Sequence, residues 1–153
     1  MRAALFLVVV LGGCLAPDYS SGYPDGTYQP GNPQPSDQGG CRKDTDCSSN
    51  LVCARDYSCI AKSQVYTAHV NWTIHGAAAS AATCAGLPDL DLQFFTSDNY
   101  YFGYSPIACS QGKFTIDKLP MWYVQASIGP QNEQGTFARI DATTGNATLD
   151  LPY

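Results

Sequence analysis

From Gln64 to the C-terminus, apolar and polar residues alternate along the chain with a period of two. In Val65-Tyr-Thr-Ala-His-Val-Asn-Trp-Thr-Ile-His75, the residues Tyr66, Ala68, Val70, Trp72 and Ile74 are apolar, while Thr67, His69, Asn71, Thr73 and His75 are polar. One face of an extended segment is therefore buried and the other solvated, the pattern of a half-buried strand. Similar segments at 90–95, 100–104, 113–118, 122–128, 136–142 and 147–151 are separated by the turn formers Ser97-Asp98-Asn99, Ser110-Gln111-Gly112, Gly129-Pro130 to Gly135, and Thr144-Gly145-Asn146. The alanine-rich stretch 76–86 reads as one helical turn or a tight crossover around Cys84. About seven short strands without a long amphipathic helix predict a mainly β protein, with an antiparallel seven-stranded β-sandwich over residues 64–153. The expected core is Trp72, Leu92, Phe94, Phe114, Ile116, Trp122, Val124, Ile128, Ile140 and Leu149.

Within this region, Gly112-Lys-Phe-Thr-Ile-Asp-Lys-Leu-Pro-Met-Trp-Tyr-Val-Gln-Ala-Ser127 resembles a hairpin of prealbumin-like and carboxypeptidase-regulatory-like sandwiches, whose pattern is G-x-F-x-(hydrophobic)-x-x-L-P-x-G-x-Y-x-V. Trp122 stands near that pattern's second glycine, and the Gly-x-Tyr step is missing. The resemblance implies a seven-stranded module of a mostly non-catalytic kind.

Residues 41–63 follow a different rule. Cys41, Cys47, Cys53 and Cys59 have five residues between each neighbouring pair. Such spacing suits a small module held by two disulfides, because structural zinc sites set their paired thiolates closer together. Four cysteines allow three pairings, and the spacing does not select among them. With Asp44 and Asp46 before the second cysteine and Leu51-Val52 before the third, the segment resembles the Dickkopf-type cysteine-rich repeats of bacterial surface proteins. Asn50 stands where those repeats often carry glycine, and it tolerates the same positive φ. The resemblance implies Cys41 with Cys53 and Cys47 with Cys59. Asp44, Asp46 and Asp56 are read as turn formers rather than calcium ligands. Cys84 and Cys109 are expected to pair with each other inside the sandwich.

The N-terminus accounts for the remaining cysteine. Met1-Arg2 precedes an unbroken apolar run from Ala3 to Leu11, which fits a signal segment and is too short to cross a hydrocarbon core of about 30 Å. Leu11-Gly12-Gly13-Cys14 resembles the lipobox of bacterial lipoproteins. That resemblance implies a leader over residues 1–13 and a mature N-terminus at Cys14 carrying diacylglycerol and an N-linked, palmitate-type chain. Several acyl chains together hold a protein stably on a bilayer. Leu15 in place of aspartate implies sorting to the outer membrane. Residues 14–40 form the expected disordered linker: positions 15–40 hold five of the ten prolines, no lysine or arginine, and almost no aliphatic residue. Such a tether spans about 28 Å as a coil and at most about 80 Å as polyproline. Tyr19, Tyr23 and Tyr28 within it read as linker composition.

Charge and composition narrow the function. With 8 Lys+Arg against 13 Asp+Glu and a net charge of −5, the chain lacks the cationic surface from which nucleic-acid affinity arises, so nucleic acid is excluded as a partner, as is polybasic membrane docking. Seven cysteines in 153 residues point to an oxidising compartment. His69 and His75 are the only histidines, about 20 Å apart on a straight strand, too far to share a metal ion. No nucleophile elbow, zinc-protease helix or phosphate loop occurs. Asp89 and Asp91 are a possible carboxylate pair but read as solvated residues at a strand entrance. Asn71-Trp-Thr73 and Asn146-Ala-Thr148 match glycosylation sequons by chance. No catalytic residue, metal or cofactor is assigned.

One segment suggests binding. In Tyr100-Tyr101-Phe102-Gly103-Tyr104, adjacent aromatics on a strand must turn some rings outward, and Tyr100, Tyr101 and Tyr104 are the candidate ligand patch. The expectation is a lipid-anchored protein of the bacterial envelope, on its periplasmic or surface face, that binds a protein or an envelope polymer. The alternative is a protease inhibitor presenting Ser48-Ser-Asn-Leu-Val52. A hydrolase using His69 and Asp91 ranks last.

Overall fold

The computed structural model describes residues 40–87, 89–131 and 133–153. The apolar leader, the Cys14 lipobox and the linker up to residue 39 lie outside the described residues. The chain forms ten strands: β1 (Leu51–Cys53), β2 (Cys59–Ala61), β3 (Val65–Ile74), β4 (Ala77–Ala78), β5 (Asp89–Thr96), β6 (Tyr101–Ala108), β7 (Lys113–Pro120), β8 (Tyr123–Pro130), β9 (Thr136–Arg139) and β10 (Asn146–Leu151). Short 3-10 turns occur at Asp44–Asp46, Lys62–Gln64 and Cys109–Gln111.

Strands β1 and β2 form the hairpin of the cysteine module. The other strands form two sheets. One is β10-β3-β4, with β7 on the same β3 edge as the two-residue β4, and the other is β6-β5-β8-β9. Their inner faces close over one core: Ala68, Val70, Trp72 and Ile74 from β3, Leu149 and Leu151 from β10, Leu90, Leu92 and Phe94 from β5, and Ile128 from β8 are all buried. The Trp72 indole N–H donates to the Cys109 carbonyl at 2.8 Å, so the largest core side chain is buried without an unpaired donor.

The sandwich is not wholly antiparallel, as the alternation alone suggests. β10 runs parallel to β3, Asn146 lying opposite His69 and Leu151 opposite Ile74. Alternation fixes which face is buried, whereas relative direction depends on how the connections cross between sheets; β9 and β10 are consecutive but belong to different sheets.

Three bulges break the period of two. Between Leu90/Leu92 on β5 and Ile107/Tyr104 on β6, β6 carries an extra residue. The same happens on β7 opposite Tyr66/Ala68, and on β8 opposite Phe95/Thr96. An extra residue in one strand lets two positions three apart face the same side. Ile116 and Leu119 are both buried in this way, as are Tyr123 and Ala126. This corrects the expected core after Pro120: Trp122 is 40% exposed and Val124 half-buried, while Tyr123 takes the inward place. Phe114 is only partly buried but packs on the core. Strand β6 runs on to Ala108 through Pro106, which an edge strand tolerates because the missing N–H faces no partner.

All six cysteines after residue 40 are bridged: Cys41–Cys53, Cys47–Cys59 and Cys84–Cys109. The first two have the pairing implied by the cysteine-rich-repeat resemblance. Asn50 has φ 76°. The alanine-rich stretch contains the two-residue strand β4, which the sequence did not indicate, followed by a single helical-type turn in which the Cys84 N–H donates to Ser80 O at 2.9 Å and the Leu87 N–H to Cys84 O at 2.9 Å.

Candidate functional site

The two outer faces of the sandwich differ in chemistry. On the sheet of β10, β3 and β7, the outward positions are Thr67, His69, Asn71 and Thr73, Thr115 and Asp117, and Thr148 and Asp150. They are polar and pair among themselves, as in His69 Nδ1 with Thr115 Oγ1 at 3.1 Å and the Thr73 hydroxyl donating to Asp150 at 2.7 Å. His75 lies beyond β3 in a left-handed turn with φ 49°, so the two histidines do not form a joint site.

The opposite face, on β6-β5-β8-β9, carries an aromatic cluster. Phe95 lies across from Tyr101 on one side and from Gln125 on the other, and Gln125 lies across from Arg139. The Phe95 ring centroid is 5.2 Å from Tyr101 and 5.3 Å from Phe137. Phe137 is 49% exposed and has no layer above it among the described residues. Tyr100, 59% exposed, sits in the turn before β6, where its N–H donates to the Thr96 hydroxyl.

Of the three tyrosines expected in a ligand patch, Tyr104 does not belong to it. Phe102 and Tyr104 share the inward face of β6, and Tyr104 packs against Phe94, Phe102 and Phe114 at centroid distances of 6.4, 6.0 and 4.9 Å. Burial pushes its phenol up to about 12. Phe95 and Phe137 take its place. The rule that sends one of two adjacent aromatics outward applies to Phe94-Phe95 as well, and Phe137 shares its parity with exposed Arg139 against half-buried Ala138 and buried Ile140.

The same face holds an unusual carboxylate. Asp91, two positions from Gln93 and four from Phe95 on β5, has a buried Oδ1 that accepts no hydrogen bond among the described residues. A buried acceptor without a donor is costly. Asp91 lies opposite Gly129, with the β6 bulge at Ser105–Pro106 on its other side. The Gln131 amide donates to Ser105 Oγ at 2.9 Å, from the far side of β5. Asp89, at the β5 entrance, is exposed.

The module's acidic residues are occupied in its own architecture. Asp46 accepts from the Arg42 and Lys43 N–H groups at 2.9 and 3.1 Å, and these bonds hold its carboxyl below the usual range. Asp56 accepts from Ser58. Asp44 receives the Lys118 ammonium at 2.7 Å and the Cys53 N–H at 3.0 Å, which lower it too. Asp46 and Asp56 thus have the local turn-forming roles read from the sequence, whereas Asp44 is tied to distant residues.

The module is also fixed to the sandwich. The β7 bulge frees the carbonyls of Asp117 and Lys118 from the ladder, and Arg55 donates to both of them and to the Asp117 carboxylate. Burial raises Asp117, but the Arg55 hydrogen bond and charge outweigh it and hold it low. Leu51 and Val52 are committed to β1 and half-buried. This leaves Ser48–Asn50 as the exposed part of the loop considered for protease inhibition, too short to line an extended cleft. Among the described residues, one group of potential metal ligands lies close together, Cys41, Cys47 and Cys59. All three are disulfide-bonded, and a metal would require free thiolates.

Comparison of the chain with family models, with curated proteins and with solved structures returns no match.

Proposed function

We propose that this is a lipid-anchored protein of a bacterial envelope, held in the outer membrane by acylated Cys14, which acts by binding and not by catalysis. The linker lifts a rigid unit, the cysteine module locked onto the sandwich, away from the headgroups, on the periplasmic or the surface face. The partner docks on the outer face of the β6-β5-β8-β9 sheet. One observation carries the reading: a cluster of half-buried Phe95 and Tyr101 with exposed Phe137 stands on one outer face while the other outer face is polar. Exposed aromatic surface is costly in water and marks interaction sites.

Two measurements test it. Expressed in a bacterium, the chain should incorporate labelled palmitate and stay with the membrane fraction, and Cys14→Ser should lose both. The Cys14→Ser protein should sediment with envelope fragments, and Tyr101→Ser with Phe137→Ser should abolish that. Palmitate labelling unchanged by Cys14→Ser would refute the anchor; unchanged sedimentation of the aromatic variant would refute the binding face.

A further inference from the structure

We infer that the ligand of this face is an uncharged polysaccharide chain, an inference that rests on the binding reading above. Three features of the face select that chemistry. The first is area. Three partly exposed rings offer on the order of 200–300 Å², under the roughly 450 Å² of apolar surface within the about 800 Å² that each partner of a stable protein interface buries. A second copy or a folded protein would find too little apolar surface here, whereas a single extended chain covers a strip of this width. The second is charge. Arg139 is the only lysine or arginine in the four strands, on a protein of net charge −5; an anionic polymer would meet no neutralising surface.

The third is the arrangement of rings and hydrogen-bonding groups. Tyr101, Phe95, Gln125 and Arg139 form one row across four strands, about 14 Å long at the usual strand spacing. A pyranose turns its C–H groups toward the negative face of an aromatic ring and its hydroxyls outward, where the Gln125 amide and the Arg139 guanidinium, both exposed, can reach them.

The test is native gel electrophoresis of the full chain in gels containing soluble neutral polysaccharides (mixed-linkage β-glucan, glycogen, galactomannan or dextran), with polygalacturonate as the anionic control. At least one neutral polymer should retard the protein, and polygalacturonate should not. Phe137→Ser, on an edge strand where the fold tolerates it, and the double variant with Tyr101→Ser should weaken retardation by about tenfold or more. Retardation by no neutral polymer, or retardation unchanged in the folded Phe137→Ser and double variants, overturns the inference. If the aromatic variant loses sedimentation with envelope fragments while no neutral polymer retards the protein, the ligand class fails and the binding face stands. If sedimentation is unaffected, the binding reading fails first.

Discussion

Replacing Cys84 and Cys109 together by alanine should lower the stability of the sandwich by about 3.5 kcal/mol. The bridge closes a loop with a sequence separation of 25, and the chain-entropy relation for a loop of that length gives a loss of about 12 cal/mol/K in the unfolded ensemble. Both cysteines are buried, Cys109 completely, so the missing sulfurs leave a small void that adds to the cost. The Trp72–Cys109 hydrogen bond uses a backbone acceptor and survives the change, which keeps the main effect entropic. Unfolding entropy is about 2.1 cal/mol/K per residue, so over roughly 110 folded residues the melting temperature should fall by about 15 °C. The assay is thermal unfolding followed by near-ultraviolet circular dichroism under non-reducing conditions, with the wild type in reductant as a second comparison. A fall of less than about 4 °C, equivalent to roughly 1 kcal/mol, would refute the reasoning. It would mean that the unfolded chain is already held compact around this loop.

Further outcomes follow from other contacts. Cys47→Ala with Cys59→Ala opens a loop of separation 12, worth about 2.8 kcal/mol in a module with almost no core, so limited proteolysis should cut within residues 41–63 while the 64–153 region stays resistant. Gly145→Ala should cost about 2–4 kcal/mol in chemical denaturation, because a Cβ there would lie 2.1 Å from the Thr67 carbonyl at φ +72°. Asp44 and Asp117 are lowered from 3.8 by Lys118 and by Arg55 respectively. The stability they contribute is complete above about pH 4 and is lost as pH falls through their folded values, so protection of the module against an acid-active protease should drop below pH 4 and recover on neutralisation. Burial pushes Tyr66 and Tyr104 up to about 12 and Tyr123 higher still; spectrophotometric titration should therefore show three tyrosines ionising after the exposed ones, and phenylalanine at any of the three should remove one of those late steps.

The candidate site was half legible in the amino-acid order. Adjacent aromatics on a strand must divide between the faces, which singled out the 100–104 segment and put Tyr101 on the outer face, where it lies beside Phe95. The inward turn of Tyr104 and the clustering of Phe95 with Phe137 were not readable, because they depend on which strands become neighbours. Asp91 looked like ordinary solvated acid at a strand entrance; only its position opposite Gly129 and the β6 bulge buries one oxygen.

What the chain specifies locally is therefore what its residues alone decide. Period-two alternation from Val65 placed the longer strands of the sandwich, though not the two-residue β4, and the turn residues between them placed the connections, because both arise from interactions within a few residues. Evenly spaced cysteines marked the module in the same way. The tertiary structure decided the rest: the parallel pairing of β10 with β3, the exchange of Trp122 for Tyr123 in the core, and the anchoring of Arg55 to β7. All three depend on register between distant segments. A bulge shifts the buried face by one residue, and neither the shift nor the freed carbonyls exist until two strands are side by side.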